Sequence, residues 1–385
     1  MIDFDQIIDR ATTATVKYDA RKAVFGREDV TPLWVADMDF ATPEAVTDAL
    51  IERAKHPVLG YTLHPDSMFE AMQDWFVKRH NWSIERKEII MCPGVVPSMH
   101  AAILALSKPG DKVIVQPPVY PPFFSAVTET KRELLLNPLV LKEGQYEIDF
   151  EHLEQCAAQG AKLLLLCSPH NPVGRVWLQR ELEQLLDIAR RYDITIISDE
   201  IHADLIYPDH KHIALATLAD GVSIITVVSP SKTFNIAGLG LSCLVSNDAK
   251  HRKAIKQVFE QWHMSACNPF SIVAFEAAYR YGENWLDQLM TYLAETKLDV
   301  INFFQQSLPA IKVMDAEGTY LLWLDCRALN MTDSELKSFF IEKAGLGLNT
   351  GLSFGDQGSG FMRLNIAAPR ALILQSINKI KLALS

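Results

Sequence analysis

The chain has 385 residues, of which 49% are hydrophobic and 22% charged, and a formal net charge of −10. That composition supports a large core and excludes the disordered class. A diffusely acidic chain without a concentrated basic run is a poor nucleic-acid binder.

In chain order, the N-terminus MIDFDQIIDR is acidic and periodic and lacks the basic-then-apolar layout of a secretory signal. No apolar run nears the roughly 20 residues that span a bilayer, so a cytoplasmic protein with no membrane partner is expected. KEIIMC (87–92) reads as a strand and VPSMHAAILALS as the helix after it. DKVIVQ (111–116) and AKLLLLCS (161–168) are further strands, the latter followed by the amphipathic LQRELEQLLDIARRY. ITIISDE (194–200) and GVSIITVVS (221–229) follow. Continuous apolar runs alternating with helices predict a parallel α/β sheet buried on both faces. From about residue 286 long helices accompany GTYLLWLDC (318–326) and GFMRLNIA (360–367), which predicts a smaller α+β domain. The six cysteines are scattered with no CxxC spacing, so buried free thiols are expected and no metal site.

In open α/β sheets ligands bind beyond the carboxyl ends of the strands. The first strand is followed by Pro93, Gly94, Val95 and Val96, a glycine turn at a helix N-terminus suited to a phosphate. After the second, PPVYPPF holds Tyr120 as a stiffly mounted aromatic. After the third, SPHNPVG holds Asn171 between prolines. After the fourth, SDEIHADL places Asp199 and Glu200 at the end of an isoleucine run, with His202 three residues beyond Asp199. The spacing is not HExxH, so zinc is not read here. After the fifth come Ser229, Ser231 and Lys232, a lysine next to a core strand with no acid near it in sequence. SKT lacks the glycines of a phosphate loop, and GLGLNTG (345–351) fails as GxGxxG. A phosphate turn, a flat aromatic, an amide, a carboxylate and a lysine among hydroxyls together match one ligand, pyridoxal 5′-phosphate.

SxSK, NPxG and SDEIHxDL, in that order, resemble the aspartate-aminotransferase-like family of pyridoxal-phosphate enzymes (fold type I), from about residue 30 to the end. Within it, WVADMDF (34–40), GYT (60–62), PPVYPPF, SDEIHADL and GFMRLNIAAPR (360–370) resemble the MalY/PatB-type carbon–sulfur β-lyase branch. The resemblance implies a large domain (46–285) with a mostly parallel seven-stranded sheet, a small C-terminal domain (286–385), and an N-terminal segment (1–45) packed with the latter. It implies Lys232 as the Schiff-base lysine, Asp199 as the pyridinium partner, Asn171 and His202 near the ring oxygen, and Tyr120 stacked on the ring. Gly94, Val95, Val96, Ser229 and Ser231 would hold the phosphate, and Arg363, Asn171 and Ala36 the amino-acid substrate. Tyr61, counted with Lys232 among the catalytic groups, would reach the neighbouring subunit's phosphate, which implies a homodimer with shared sites. Two positions depart from the aminotransferase pattern: His202 stands for a common tyrosine, and Gly240 for a phosphate-binding arginine.

The implied reaction is α,β-elimination from cystathionine or another cysteine S-conjugate, with Lys232 as general base. Two rival readings are an amino-acid aminotransferase, which shares the early steps, and a pyridoxal-phosphate-binding regulator without turnover.

Overall fold

The computed structural model describes residues 2–385. Its centre is a seven-stranded sheet made of β1 (Ile89–Cys92), β2 (Lys112–Val115), β3 (Glu133–Leu136), β4 (Ala161–Cys167), β5 (Thr195–Asp199), β6 (Ile224–Val228) and β7 (Ser242–Val245). The strand order is β1-β7-β6-β5-β4-β2-β3, with β7 antiparallel to both neighbours and the other pairings parallel. The expected mostly parallel α/β architecture is therefore the one observed.

Side-chain alternation explains why these runs are apolar throughout. Leu163, Leu165, Cys167, Ile197, Ile225 and Val227 join a core with the helices Val95–Leu106 and Pro122–Glu129. Leu164, Leu166, Ile196 and Ile224 face the opposite way, onto the helices Phe150–Ala158 and Gln179–Arg191. A strand with helices on both faces has no solvent side, so period-two polarity disappears. Edge strand β3 is the exception, with Glu133 and Leu136 exposed.

After the 25-residue helix Glu283–Ser307, an antiparallel sheet is built from β8 (Lys312–Val313), β9 (Leu321–Asp325), β10 (Asn349–Thr350) and β11 (Phe361–Asn365), in the order β8-β9-β11-β10. The expected boundary at 285/286 falls in the first turn of that helix. The N-terminal segment packs against this half: Thr31–Pro32 pairs with Leu346–Gly347, Arg27 meets Glu342, and Phe4 packs on Trp285 and Tyr292. All six cysteines are free, and all but Cys267 are buried. Among the described residues no helix is long and apolar enough to cross a membrane.

Two features tie the halves together around the sheet's carboxyl edge. Gly174, at the end of the NPVG turn, has φ +74° and its carbonyl accepts hydrogen bonds from Glu317 N–H (2.9 Å) and Gly318 N–H (3.1 Å). A Cβ at Gly174 would stand 2.6 Å from Ala316 Cβ, so the approach requires glycine. Next to it, buried Arg175 pairs with Glu317 (3.0 Å) and Glu181 (2.8 Å).

Candidate active site

A cavity of about 290 Å³ opens at the carboxyl ends of the parallel strands. Gly94, Val95, Val96, Tyr120, Asn171, Asp199, His202, Ser229, Ser231, Lys232 and Ala36 all line it. The five strand ends thus converge as the sequence predicts, and Gly240 from the stretch after Lys232 lines it too.

The glycine turn sits below the helix Val95–Leu106. Gly94 has φ +153° and ψ 164°, a conformation open to glycine, and so leads the chain into the helix with the first N–H groups unpaired by the helix itself. Ser98 Oγ donates to the Gly94 carbonyl (2.7 Å) and steadies the turn. Ser229 Oγ donates to Leu241 O (2.7 Å) and accepts from Ser231 N–H (3.1 Å), so it shapes the loop that presents Ser231 and Lys232. Gly240 has φ +60°, and a Cβ there would lie 3.4 Å from Pro93 O. Glycine adopts this left-handed conformation without the cost a side chain carries there.

Strand alternation separates Asp199, which ends β5, from Glu200, which follows it. Glu200 turns away from the cavity and is satisfied by Ser198 Oγ (2.9 Å), His212 Nε2 (2.8 Å) and Leu215 N–H (3.1 Å). Asp199 turns into the cavity and accepts a hydrogen bond from Ile201 N–H (3.1 Å), with no salt-bridge partner among the described residues. Burial pushes its carboxyl up to about 7, against the pull of the Ile201 N–H. A buried carboxylate in this condition calls for a cation.

Lys232 donates from Nζ to Ala36 O at 2.6 Å. Burial pulls its amine down to about 8; Asp37 opposes that shift and Arg363 adds to it. The residue that follows anchors the loop: Thr233 Oγ1 donates to Asp204 Oδ2 (3.0 Å), while Asp204 Oδ1 accepts from Trp75 Nε1 (3.0 Å) and meets His80 Nε2 at 2.7 Å. His202 is buried with Nδ1 unpartnered, and burial, with Lys232 and Arg363 nearby, lowers it to about 3, so the imidazole is neutral.

Arg363 reaches the same region from β11. Its guanidinium donates to Asn171 Oδ1 (2.9 Å), Trp34 O (2.9 Å) and Asn349 Oδ1 (2.8 Å), and it lies 4.8 Å from the centre of the Phe354 ring. No carboxylate pairs with it among the described residues, Nε is buried without a partner, and burial lowers it to about 10. The fork therefore awaits an anion. Tyr120 is fixed by its N–H to Asn171 O (3.1 Å), and burial raises its phenol.

Tyr61 is fully exposed on the loop between the helices Glu44–Lys55 and Asp66–His80 and does not line this cavity. Sequence reasoning missed several contributors. Tyr320 donates to Ala36 O (2.9 Å), Cys167 and Ile201 form walls, and Asn349 orients Arg363. Asn349 lies inside GLGLNTG, which fails as a nucleotide motif; its pairing with Arg363 across β10 and β11 carries no local signal.

The donor set fits pyridoxal 5′-phosphate on observations internal to the chain: an unpaired buried carboxylate, a lysine with a lowered pKa, an orphaned imidazole nitrogen and a glycine turn at a helix N-terminus. Fold and site together define an α/β enzyme of the pyridoxal-phosphate class. The family model described as aminotransferase class I and II matches residues 28–380, and the chain belongs to that family. It is 40% identical, over all of both chains, to the cystathionine beta-lyase PatB of Bacillus subtilis, and 31% identical to the protein MalY of Escherichia coli over 98% of this chain and 97% of that one. Among solved structures, cystalysin from Treponema denticola, which contains a pyridoxal 5′-phosphate cofactor, superposes with a TM-score of 0.97 at 36% identity, covering 100% of this chain and 99% of that one.

Proposed function

We propose that this protein is a pyridoxal-phosphate-dependent carbon–sulfur β-lyase that cleaves L-cystathionine or other cysteine S-conjugates to a thiol, pyruvate and ammonia. The observation that carries the reading is a guanidinium without a carboxylate partner, Arg363, which is bonded to the cavity residue Asn171 beside a cavity lined by Lys232 and Asp199. The cofactor, when bound, supplies an electron sink for the carbanion formed at the substrate α-carbon. Asp199 would supply the negative charge for a ring cation, and the N–H groups of Val95 and Val96, with Ser231, would donate to the phosphate. Asn171, neutral His202 and Tyr120 would hold the ring.

Arg363 grips the substrate carboxylate, with its orientation preset by Asn349 and Trp34 O. Lys232 takes the α-proton at Nζ. Burial lowers the pKa of this amine from the ordinary lysine range, which favours a base role. The division into residues 46–285 for the cofactor, 286–385 for the small domain and 1–45 as a segment packed on it fits the two sheets. Tyr61, exposed and remote from its own cavity, fits service to a second copy in a homodimer, and the protein works in the cytoplasm on small amino acids.

The test is product analysis with cystathionine and no keto-acid acceptor. Pyruvate and thiol should form with wild type and cease with Lys232→Ala, which should still fold. Strict dependence on a keto acid would establish an aminotransferase instead, and turnover surviving in the variant would refute the assignment of Lys232.

A further inference from the structure

The segment from Trp34 to Met38 forms a strap that touches the cavity at Ala36, and each of its successive carbonyls accepts a side-chain hydrogen bond. Trp34 O accepts from Arg363 (2.9 Å) and Val35 O from Asn365 Nδ2 (2.6 Å). Ala36 O accepts from Lys232 (2.6 Å) and from Tyr320 OH (2.9 Å). Asp37 O accepts from Asn365 Nδ2 (2.7 Å), and Met38 O from Arg10 and Asn235 (both 3.0 Å). The two charged groups assigned above to catalysis and substrate binding thus share one backbone strap.

The strap has its own anchor at the other end of its side chains. Arg10 pairs with Asp39 Oδ1 (2.6 Å) and Asp37 Oδ2 (2.7 Å). Lys17, with 0% exposure, pairs with Asp39 Oδ2 (3.0 Å) and Asp37 Oδ1 (3.5 Å). Tyr18 OH donates to Asp39 Oδ2 (3.2 Å), and Trp34 Nε1 donates to Lys17 O (3.1 Å). Burial works against ionisation of Asp37, yet Arg10 and Lys17 hold its carboxyl below the usual range. Charges this enclosed are costly unless fully paired, so removing one partner is felt by the rest. Arg10, Lys17 and Tyr18 precede residue 28, where the family match begins.

We propose that Arg10 and Lys17 are positioning residues that clamp Asp37 and Asp39 and so hold the carbonyls of Trp34 and Ala36 against Arg363 and Lys232. The inference rests on the roles proposed above for those two groups, and its first readout is independent of them. The clamp acts on the substrate side of the cavity, because Gly94, Tyr120, Asp199 and Ser229 are held by other elements.

The experiment compares wild type, Arg10→Met, Arg10→Lys and Tyr18→Phe. Amide hydrogen exchange over residues 33–41 is followed in both the cofactor-free and the cofactor-loaded protein. KM and kcat for cystathionine are measured alongside thermal midpoints. Arg10→Met should speed exchange across 33–41 about 10-fold and raise KM about 10-fold, with kcat changing less than about 3-fold. Arg10→Lys should recover most of both effects, and Tyr18→Phe should show the same pattern weakly. Should Arg10→Met fail to fold, Tyr18→Phe carries the test. Unchanged exchange over 33–41 would overturn the proposal, as would a lowered midpoint with KM unmoved, which is the signature of a staple without a positioning role. Failure of wild type to cleave cystathionine would strike the proposed function alone, with exchange still deciding the clamp.

Discussion

Replacing Asp199 with asparagine should stabilise the cofactor-free protein while abolishing its chemistry. The folded-state carboxyl is raised from 3.8 to about 7, first by burial and further by Glu200. A raised acid makes the unfolded state the better ionised one. Between pH 4 and 7 the unfolded chain has lost this proton and the folded chain has kept it, so stability falls as pH rises and levels off above 7. At about 1.4 kcal/mol per pKa unit, three units give a penalty of about 4 kcal/mol at pH 8. Asparagine keeps an oxygen for the Ile201 N–H and has no charge to bury. For a chain of this size, roughly 1–2 °C per kcal/mol translates the gain into about 5 °C. The assay is the thermal midpoint of both cofactor-free proteins from pH 5 to 8.5. The variant should lead at pH 8, and the gap should close toward pH 5. A gap independent of pH, or a variant less stable than wild type at pH 8, would refute the reasoning. Turnover of the loaded variant should fall at least about 100-fold.

Arg363→Lys removes a fork that bonds Asn171, Trp34 O and Asn349 together. Losing charge-assisted bonds worth about 2–3 kcal/mol should raise KM for the amino acid roughly 30- to 150-fold, as steady-state kinetics would show. A KM within about 3-fold of wild type would count against a carboxylate role. Gly174→Ala forces a Cβ to within 2.6 Å of Ala316 in a left-handed conformation. It should cost about 2–4 kcal/mol by denaturant titration, since strain and overpacking add there, and an unchanged midpoint would contradict the tight joint described here.

What was legible in the sequence follows one physical rule. Strands β1, β2, β4, β5 and β6 are covered on both faces, so their apolar runs stand out, and the polar residues after them mark the carboxyl edge. Strands β3 and β7 were not read individually. β3 is an exposed edge beginning at Glu133, and β7 follows a glycine-rich loop directly after the lysine stretch, with no α-helix between it and β6. The motif SDEIHADL offered two adjacent carboxylates, of which the resemblance points to Asp199, and the pleat supplies the physical reason: Glu200 faces His212 while Asp199 faces the cavity. Asn349, Tyr320, Arg10 and Lys17 were illegible for another reason. Each acts across a long sequence separation, Lys17 on Asp37 and Asp39, Tyr320 on Ala36, and Asn349 through a strand pairing. Local pattern carries no record of such encounters.

The same geometry explains why a stable fold tolerates this centre. Asp199, Lys232, His202 and Arg363 are all pushed toward their neutral forms, with burial the largest cause in each case. Glu200, Asp204, Arg175 and Lys17, buried just as deeply, are each met by opposite charges or several hydrogen bonds. The chain is therefore able to pair buried charge, yet Asp199 and Lys232, which line the cavity, and Arg363 beside it have no ion-pair partner among the described residues. Groups left short of partners are those that a ring cation, an aldehyde and a substrate carboxylate would complete. Ligand binding then relieves a penalty already present in the folded chain, which links affinity to stability. Cofactor loading should consequently raise the thermal midpoint of wild type more than that of Asp199→Asn, because only wild type has the Asp199 charge to relieve.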